Sequence, residues 1–189
     1  RQDNFWRHVA PEIVAAQMAS VIDDLRPDAI KIGMAATAGN ARVIAQTIGR
    51  GPQTIVLDPV LVPTQGVNLA EAGLEAALVS DLLPLASLVT PNLFEAAALT
   101  ATKIATKPQE MATQGQALIC TGCALSAAIT AELAKGAPLI DAIATAKSWL
   151  ENALEAADAL AAALGVSAGR GPPHHFFSLW DDSVPRNLL

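Results

Sequence analysis

The sequence has no concentration of positive charge. Its 12 Lys and Arg are outnumbered by 18 Asp and Glu in 189 residues, giving a formal net charge of -6. Nucleic-acid surfaces hold phosphate backbones with clustered Lys and Arg, so that class of partner is excluded. Cysteine is equally scarce, with two residues, Cys120 and Cys123, three positions apart. That spacing suits no ordinary structural disulfide, and a zinc site built from Cys-x-x-Cys pairs would need a second pair. A redox pair would also fit the spacing. No secretory or membrane-spanning segment is read in the sequence, so the expected compartment is a reducing cytoplasm, with no membrane partner. With 52% hydrophobic and 16% charged residues, the chain has what one sizeable core needs, and 1–189 is expected to form a single domain.

The apolar pattern alternates between two periods. Val14, Met18, Ile22 and Leu25 repeat at helical spacing behind Pro11, which predicts a helix over 11–26. Ala29 to Met34 and Thr54 to Leu57 are short β-favouring runs stopped by Gly33 and by Asp58-Pro59, and Leu85 to Thr90 leads into a third strand ending at Pro91. Helices are expected at 40–48, 69–83, 92–99, 108–118, 122–135 and 138–164, the last with Ile143, Leu150, Leu154 and Leu164 on one face. Strand and helix in this rhythm predict an α/β fold, a mostly parallel sheet covered by helices on both faces. Ligands of such sheets bind at the carboxyl ends of the strands, which directs attention to Met34, Asp58 and Asn92.

One segment carries chemistry on its own. Cys120-Thr121-Gly122-Cys123 leads into a small-residue helix, and the unpaired N–H groups of a first helical turn attract anions. A thiol in that field ionises more readily, so Cys123 could take a proton from a substrate hydroxyl. A small cysteine packed at a helix start is the plainer alternative. An anion site with a base beside it points to phosphoryl transfer.

Five motifs stand in one order: Lys31-Ile32-Gly33-Met34, Leu57-Asp58-Pro59-Val60, Leu82-Leu83-Pro84-Leu85-Ala86, Thr90-Pro91-Asn92-Leu93-Phe94-Glu95-Ala96 and Thr121-Gly122-Cys123-Ala124-Leu125-Ser126. With the tail Gly169-Arg170-Gly171-Pro172-Pro173-His174-His175-Phe176, the chain resembles the hydroxymethylpyrimidine/phosphomethylpyrimidine kinases of thiamine biosynthesis. The resemblance implies a ribokinase-like fold. It also implies phosphorylation of 4-amino-5-hydroxymethyl-2-methylpyrimidine and then of its monophosphate, with ATP as donor and Mg²⁺ as cofactor. A homodimer paired through its sheets is a further implication.

The resemblance also assigns roles. Cys123 takes the place of the general base, with Gly122 and Thr121 completing an anion hole around the transferring group. Asn92 and Glu95 match an Asn-x-x-Glu motif whose carboxylate organises Mg²⁺ and its waters, and Asp58 lies near the nucleotide phosphates. Asn92 and Glu95 also fit a helix capping box, and Asp58 an ordinary Asp-Pro turn. Met34 is placed against the pyrimidine ring, and Gln2 would bond its edge with an amide that both donates and accepts. The adjacent His174 and His175 read as surface residues, and Trp6, Trp149 and Trp180 follow no period.

Two departures from the family pattern are read as well. The family's opening Gly-Ser-Asp and Gly-Gly-Ala-Gly segments have no counterpart, and strands carrying a Val-Leu-Val-Lys-Gly-Gly-His motif are missing just before Cys120. The sheet is therefore expected to be incomplete. Cys120 itself replaces a family glycine, which would strain a positive φ by roughly 1–2 kcal/mol. A degenerate family member that binds pyrimidine or nucleotide without turnover, and a pyridoxal-type kinase, stand as alternatives to the active pyrimidine kinase.

Overall fold

The computed structural model describes residues 8–49, 51–61, 71–104 and 122–163, together with His174 and Phe177. The chain divides into two compact units, Arg1–Ala137 and Pro138–Leu189.

The first unit is built on a parallel sheet of three strands in the order β1-β2-β3. These are β1 (Ala29–Ile32), β2 (Thr54–Leu57) and β3 (Leu88–Val89). Ile30 pairs with Ile55 and Ile32 with Leu57, which in turn pairs with Val89. Because side chains alternate along a strand, these residues share one face, and Lys31, Val56 and Leu88 share the other. Helix α1 (Pro11–Leu25) and helix α2 (Ala38–Ile48) pack on each other, and Met18, Ile22, Ala41, Ile44 and Ile48 join the core cluster formed with Ile30, Ile32, Ile55 and Leu57. Helix α5 (Gly122–Ala134) packs against β1 and β2, with Leu125 and Ile129 fully buried. Val56, between strands and under helices, is wholly buried, as expected of a sheet covered on both faces.

Local chemistry explains most boundaries. Pro11 opens α1 at a position where its missing N–H costs nothing. Thr37 caps α2 by accepting a hydrogen bond from the Asn40 N–H. Asn92 caps α4 (Leu93–Leu99) in the same way. The helix expected over 69–83 is only partly regular: α3 (Leu74–Ala77) passes into a wide turn at Leu78–Leu82 and a tight one at Leu83–Leu85. Pro84 has no N–H to continue an α-helical ladder, while Leu74, Leu78 and Leu82, four residues apart, are all buried. The third strand is correspondingly short, beginning at Leu88 rather than near Leu85. The helix expected over 108–118 lies outside the described residues.

In the second unit, α6 (Leu139–Ala163) has its buried stripe at Ala142, Ala146, Leu150 and Ala153. Of the residues expected on that face, Leu150 is buried, Ile143 is half-buried and Leu154 is exposed, while Leu164 lies outside the described residues; alanines supply the rest of the stripe. The His174 N–H donates to the Ala153 carbonyl. Among the described residues no helix is long and apolar enough to cross a membrane.

Leu57 sits at the middle of the first unit's core and is completely buried. Leu57→Ala is expected to lower the unfolding free energy by about 2–5 kcal/mol, the cost of lost burial plus a residual cavity. Urea unfolding of the two proteins checks it, and a loss below about 1 kcal/mol would mean that the site collapses around the smaller side chain.

Candidate active site

The carboxyl ends of the strands gather the sequence's polar candidates. Beyond β2 the Asp58 N–H donates to the Ile32 carbonyl at 2.8 Å, and beyond β3 the Thr90 N–H donates to the Leu57 carbonyl at 2.9 Å. The strand register continued by one residue therefore sets Gly33, Asp58 and Thr90 in a row. All three belong to the face that α5 covers.

Asp58 is 3% exposed and is no ordinary turn residue. Its Oδ2 lies 3.2 Å from the Lys31 ammonium and accepts a hydrogen bond from the Ser126 hydroxyl at 3.3 Å. Lys31 stands two residues before Gly33 on the same strand face, and its Nζ passes over that glycine to reach Asp58. A β-carbon at position 33 would lie 3.3 Å from the Lys31 Nζ. The lysine's route thus depends on the glycine. Ser126 stands one helical turn after Cys123, so its bond ties the start of α5 to the end of β2.

Glu95 closes a second connection. The Asn92 side chain accepts from the Glu95 N–H at 2.9 Å while the Glu95 Oε2 accepts from the Asn92 N–H at 2.9 Å, a complete capping box. The other oxygen, Oε1, accepts from the Leu61 N–H at 3.2 Å. One carboxylate therefore joins the segment after β2 to the segment after β3. Burial pushes its pKa above the usual carboxylate value; the two backbone N–H bonds oppose that shift, and repulsion from Asp58 adds to it.

The sign of the resulting pH effect is fixed. A carboxyl whose pKa is raised on folding binds its proton more tightly in the folded state. Its stabilising contribution is complete below the unfolded value of 4.5 and is lost as pH rises through the folded value. Urea midpoints measured across this window in the presence of EDTA should show that slope in the native protein and lack it in Glu95→Gln. Parallel profiles would remove Glu95 as its source.

The residues fit a hard cation. The buried Glu95 carboxylate and the buried Thr90 hydroxyl, which has no hydrogen-bond partner among the described residues, are oxygen groups of the kind a hard cation takes, while Asp58 is already paired with Lys31. Magnesium is typically bound through one or two carboxylates together with waters and substrate phosphates.

The other sequence candidates fall as follows. Met34 is 46% exposed after the end of β1, so it is not a core residue. Gly122 and Cys123 are the first two residues of α5. Gln2, Thr121 and Cys120 lie outside the described residues, as does His175. Sequence reasoning assigned no role to Lys31, Ser126 or Thr90. The spacing of Lys31 and Gly33 was the available signal for the first, because alternate residues of a strand share a face.

A parallel α/β sheet with carboxylates at its strand ends and a helix N-terminus beside them has the architecture of a ribokinase-like small-molecule kinase. The chain belongs to the phosphomethylpyrimidine kinase family, whose model matches residues 4–120 and 116–174. It is 39% identical to the hydroxymethylpyrimidine/phosphomethylpyrimidine kinase of Rhizobium meliloti (strain 1021), over 92% of this chain and 80% of the relative. The structure resembles that of the last common ancestor of HMPPK and PLK/HMPPK vitamin kinases, with a TM-score of 0.65 and 32% identity over 76% of this chain and 74% of the other. It also resembles an ADP complex of Bacillus subtilis pyridoxal kinase, with a TM-score of 0.67 and 27% identity over 82% and 75% of the two chains.

The Rhizobium alignment runs over 217 positions, more than the 189 residues present, so the relative carries residues within the matched span that this chain does not. The family model matches in two stretches that meet at 116–120. That is where the sequence departs from the family before Cys120.

Proposed function

We propose that this chain transfers the γ-phosphoryl group of ATP to the hydroxymethyl oxygen of 4-amino-5-hydroxymethyl-2-methylpyrimidine, and then phosphorylates the monophosphate, as a kinase of thiamine biosynthesis. The observation that carries the reading is the bond between Ser126 and Asp58. It brings the helix that begins at Gly122-Cys123 to the strand end where the buried carboxylates stand.

In this reading Cys123 takes the proton of the substrate hydroxyl as its oxygen attacks the γ-phosphorus, and the bond to the β-phosphate oxygen breaks to release ADP. Gly122 and Cys123, the first residues of α5, would offer N–H groups to the charge that spreads over the transferring group, and the family resemblance assigns Thr121 to the same anion hole. Asp58, Asn92 and Glu95 form the nucleotide side, with Glu95 holding magnesium through water. Magnesium, when bound, supplies positive charge against the charge developing on the β- and γ-phosphates. Met34, exposed beyond β1, offers a thioether to the pyrimidine ring, and Gln2 an amide to its edge.

We treat 1–189 as one kinase domain because the family match runs through both compact units. A cytoplasmic location and a homodimer belong to the same reading. A coupled ADP-release assay on the purified chain, comparing the pyrimidine alcohol, pyridoxal and no substrate, tests it. Turnover should be greatest with the pyrimidine alcohol. A preference for pyridoxal would transfer the assignment to the activity named for the Bacillus subtilis neighbour, and nucleotide binding without turnover would favour the degenerate binder.

A further inference from the structure

We propose that Lys31 is a positioning residue of the nucleotide site: it neutralises and orients Asp58, so that this buried carboxylate can stand beside an incoming polyphosphate without repelling it. The inference rests on the kinase reading above.

Four observations carry it. Asp58 is almost entirely buried, whereas the Lys31 side chain that pairs with it is 24% exposed. Both the Lys31 and Ser126 contacts fall on Oδ2, which fixes the plane of the carboxylate from one side. Position 33 is a glycine, and a β-carbon there would lie within 3.3 Å of the ammonium. Finally, Glu95 stands near enough to be perturbed by Asp58, so the corner holds two carboxylates, and among the described residues the cation paired with them is Lys31.

Removing one partner of a buried ion pair leaves the other as an uncompensated charge. Without Lys31, the carboxylate at position 58 would oppose the negatively charged phosphates that the site is built to accept. The lysine therefore acts through Asp58, and its loss should be felt in nucleotide binding more than in binding of the uncharged pyrimidine alcohol.

The test is a double-mutant cycle on the full chain with a non-hydrolysable Mg·ATP analogue, read by calorimetry. Lys31→Met should weaken analogue binding by about tenfold or more, and Lys31→Arg should stay within about threefold of the native protein because it keeps the charge. In an Asp58→Asn background, Lys31→Met should cost no more than about threefold, since no charge is then left unpaired. In the kinetic assay, KM for ATP should rise in Lys31→Met while KM for the pyrimidine alcohol stays in place.

A Lys31→Met protein that binds the analogue as the native chain does overturns the proposal. So does a Lys31→Met loss of the same size in the Asp58→Asn background as in the native one, because a purely architectural lysine would give that result. If Lys31→Met does not fold, Lys31→Gln goes through the same cycle under the same criteria. A native chain that binds no nucleotide at all overturns the kinase reading and this proposal with it, whereas native binding with an inert Lys31 overturns this proposal alone.

Discussion

Cys123→Ala should bind the Mg·ATP analogue about as tightly as the native chain and transfer phosphoryl groups about 10²–10⁴-fold more slowly. The size of the loss follows from the role. A base that removes the hydroxyl proton acts as the new O–P bond forms, so its absence raises the barrier and leaves ground-state binding of the nucleotide alone. Cys123 is the second residue of a 13-residue helix, the place at which the proposed reading puts the base. The substitution removes only a thiol at a helical position, and alanine is the best helix former. Unchanged turnover would take Cys123 out of the chemistry and leave the anion site of the helix start to do the work.

Glu95→Ala should be the more damaging change for the fold. It removes the acceptor for the Asn92 N–H and the acceptor for the Leu61 N–H, and it breaks the capping box at the start of α4. Loss of the capping-box bond to the Asn92 N–H costs about 1 kcal/mol, and the buried Leu61 donor left unpaired about 1–3 kcal/mol, so a loss of roughly 2–4 kcal/mol is expected. Glu95→Gln separates this structural role from the metal role. Its amide keeps the shape and one acceptor oxygen but no charge, so the protein should fold while needing more Mg²⁺ to reach half-maximal rate. A magnesium titration that superimposes on the native curve would leave Glu95 with the capping role alone.

The sequence carried the layout of the first unit well because its signals were local. Thr54–Leu57 is a strand over the expected span, bounded by Asp58-Pro59, and Pro11–Leu25 differs from expectation by one residue at its end. The capping reading of Asn92 and Glu95 is present in full, since it depends on residues three apart. What was hidden depends on partners far along the chain. Glu95 also holds Leu61, 34 positions away, and Ser126 reaches Asp58 across 68. No period or spacing announces such pairs. The resemblance named Asp58 as a site residue without indicating that a lysine on the neighbouring strand would be its counter-ion. In α6, hydrophobicity misled in part: of the large aliphatics taken to mark the inner face Leu150 is buried and Leu154 is not, and three alanines are buried beside Leu150.

The Glu95 carboxylate has a dynamic consequence. Because one side chain anchors both the backbone that leaves β2 and the backbone that enters α4, neither stretch can open without releasing the other. The two belong to one cooperative unit, although 30 residues separate Leu61 from Asn92 in the chain. Their amides should exchange hydrogen with solvent at a common rate, and one mutation at position 95 should accelerate both together.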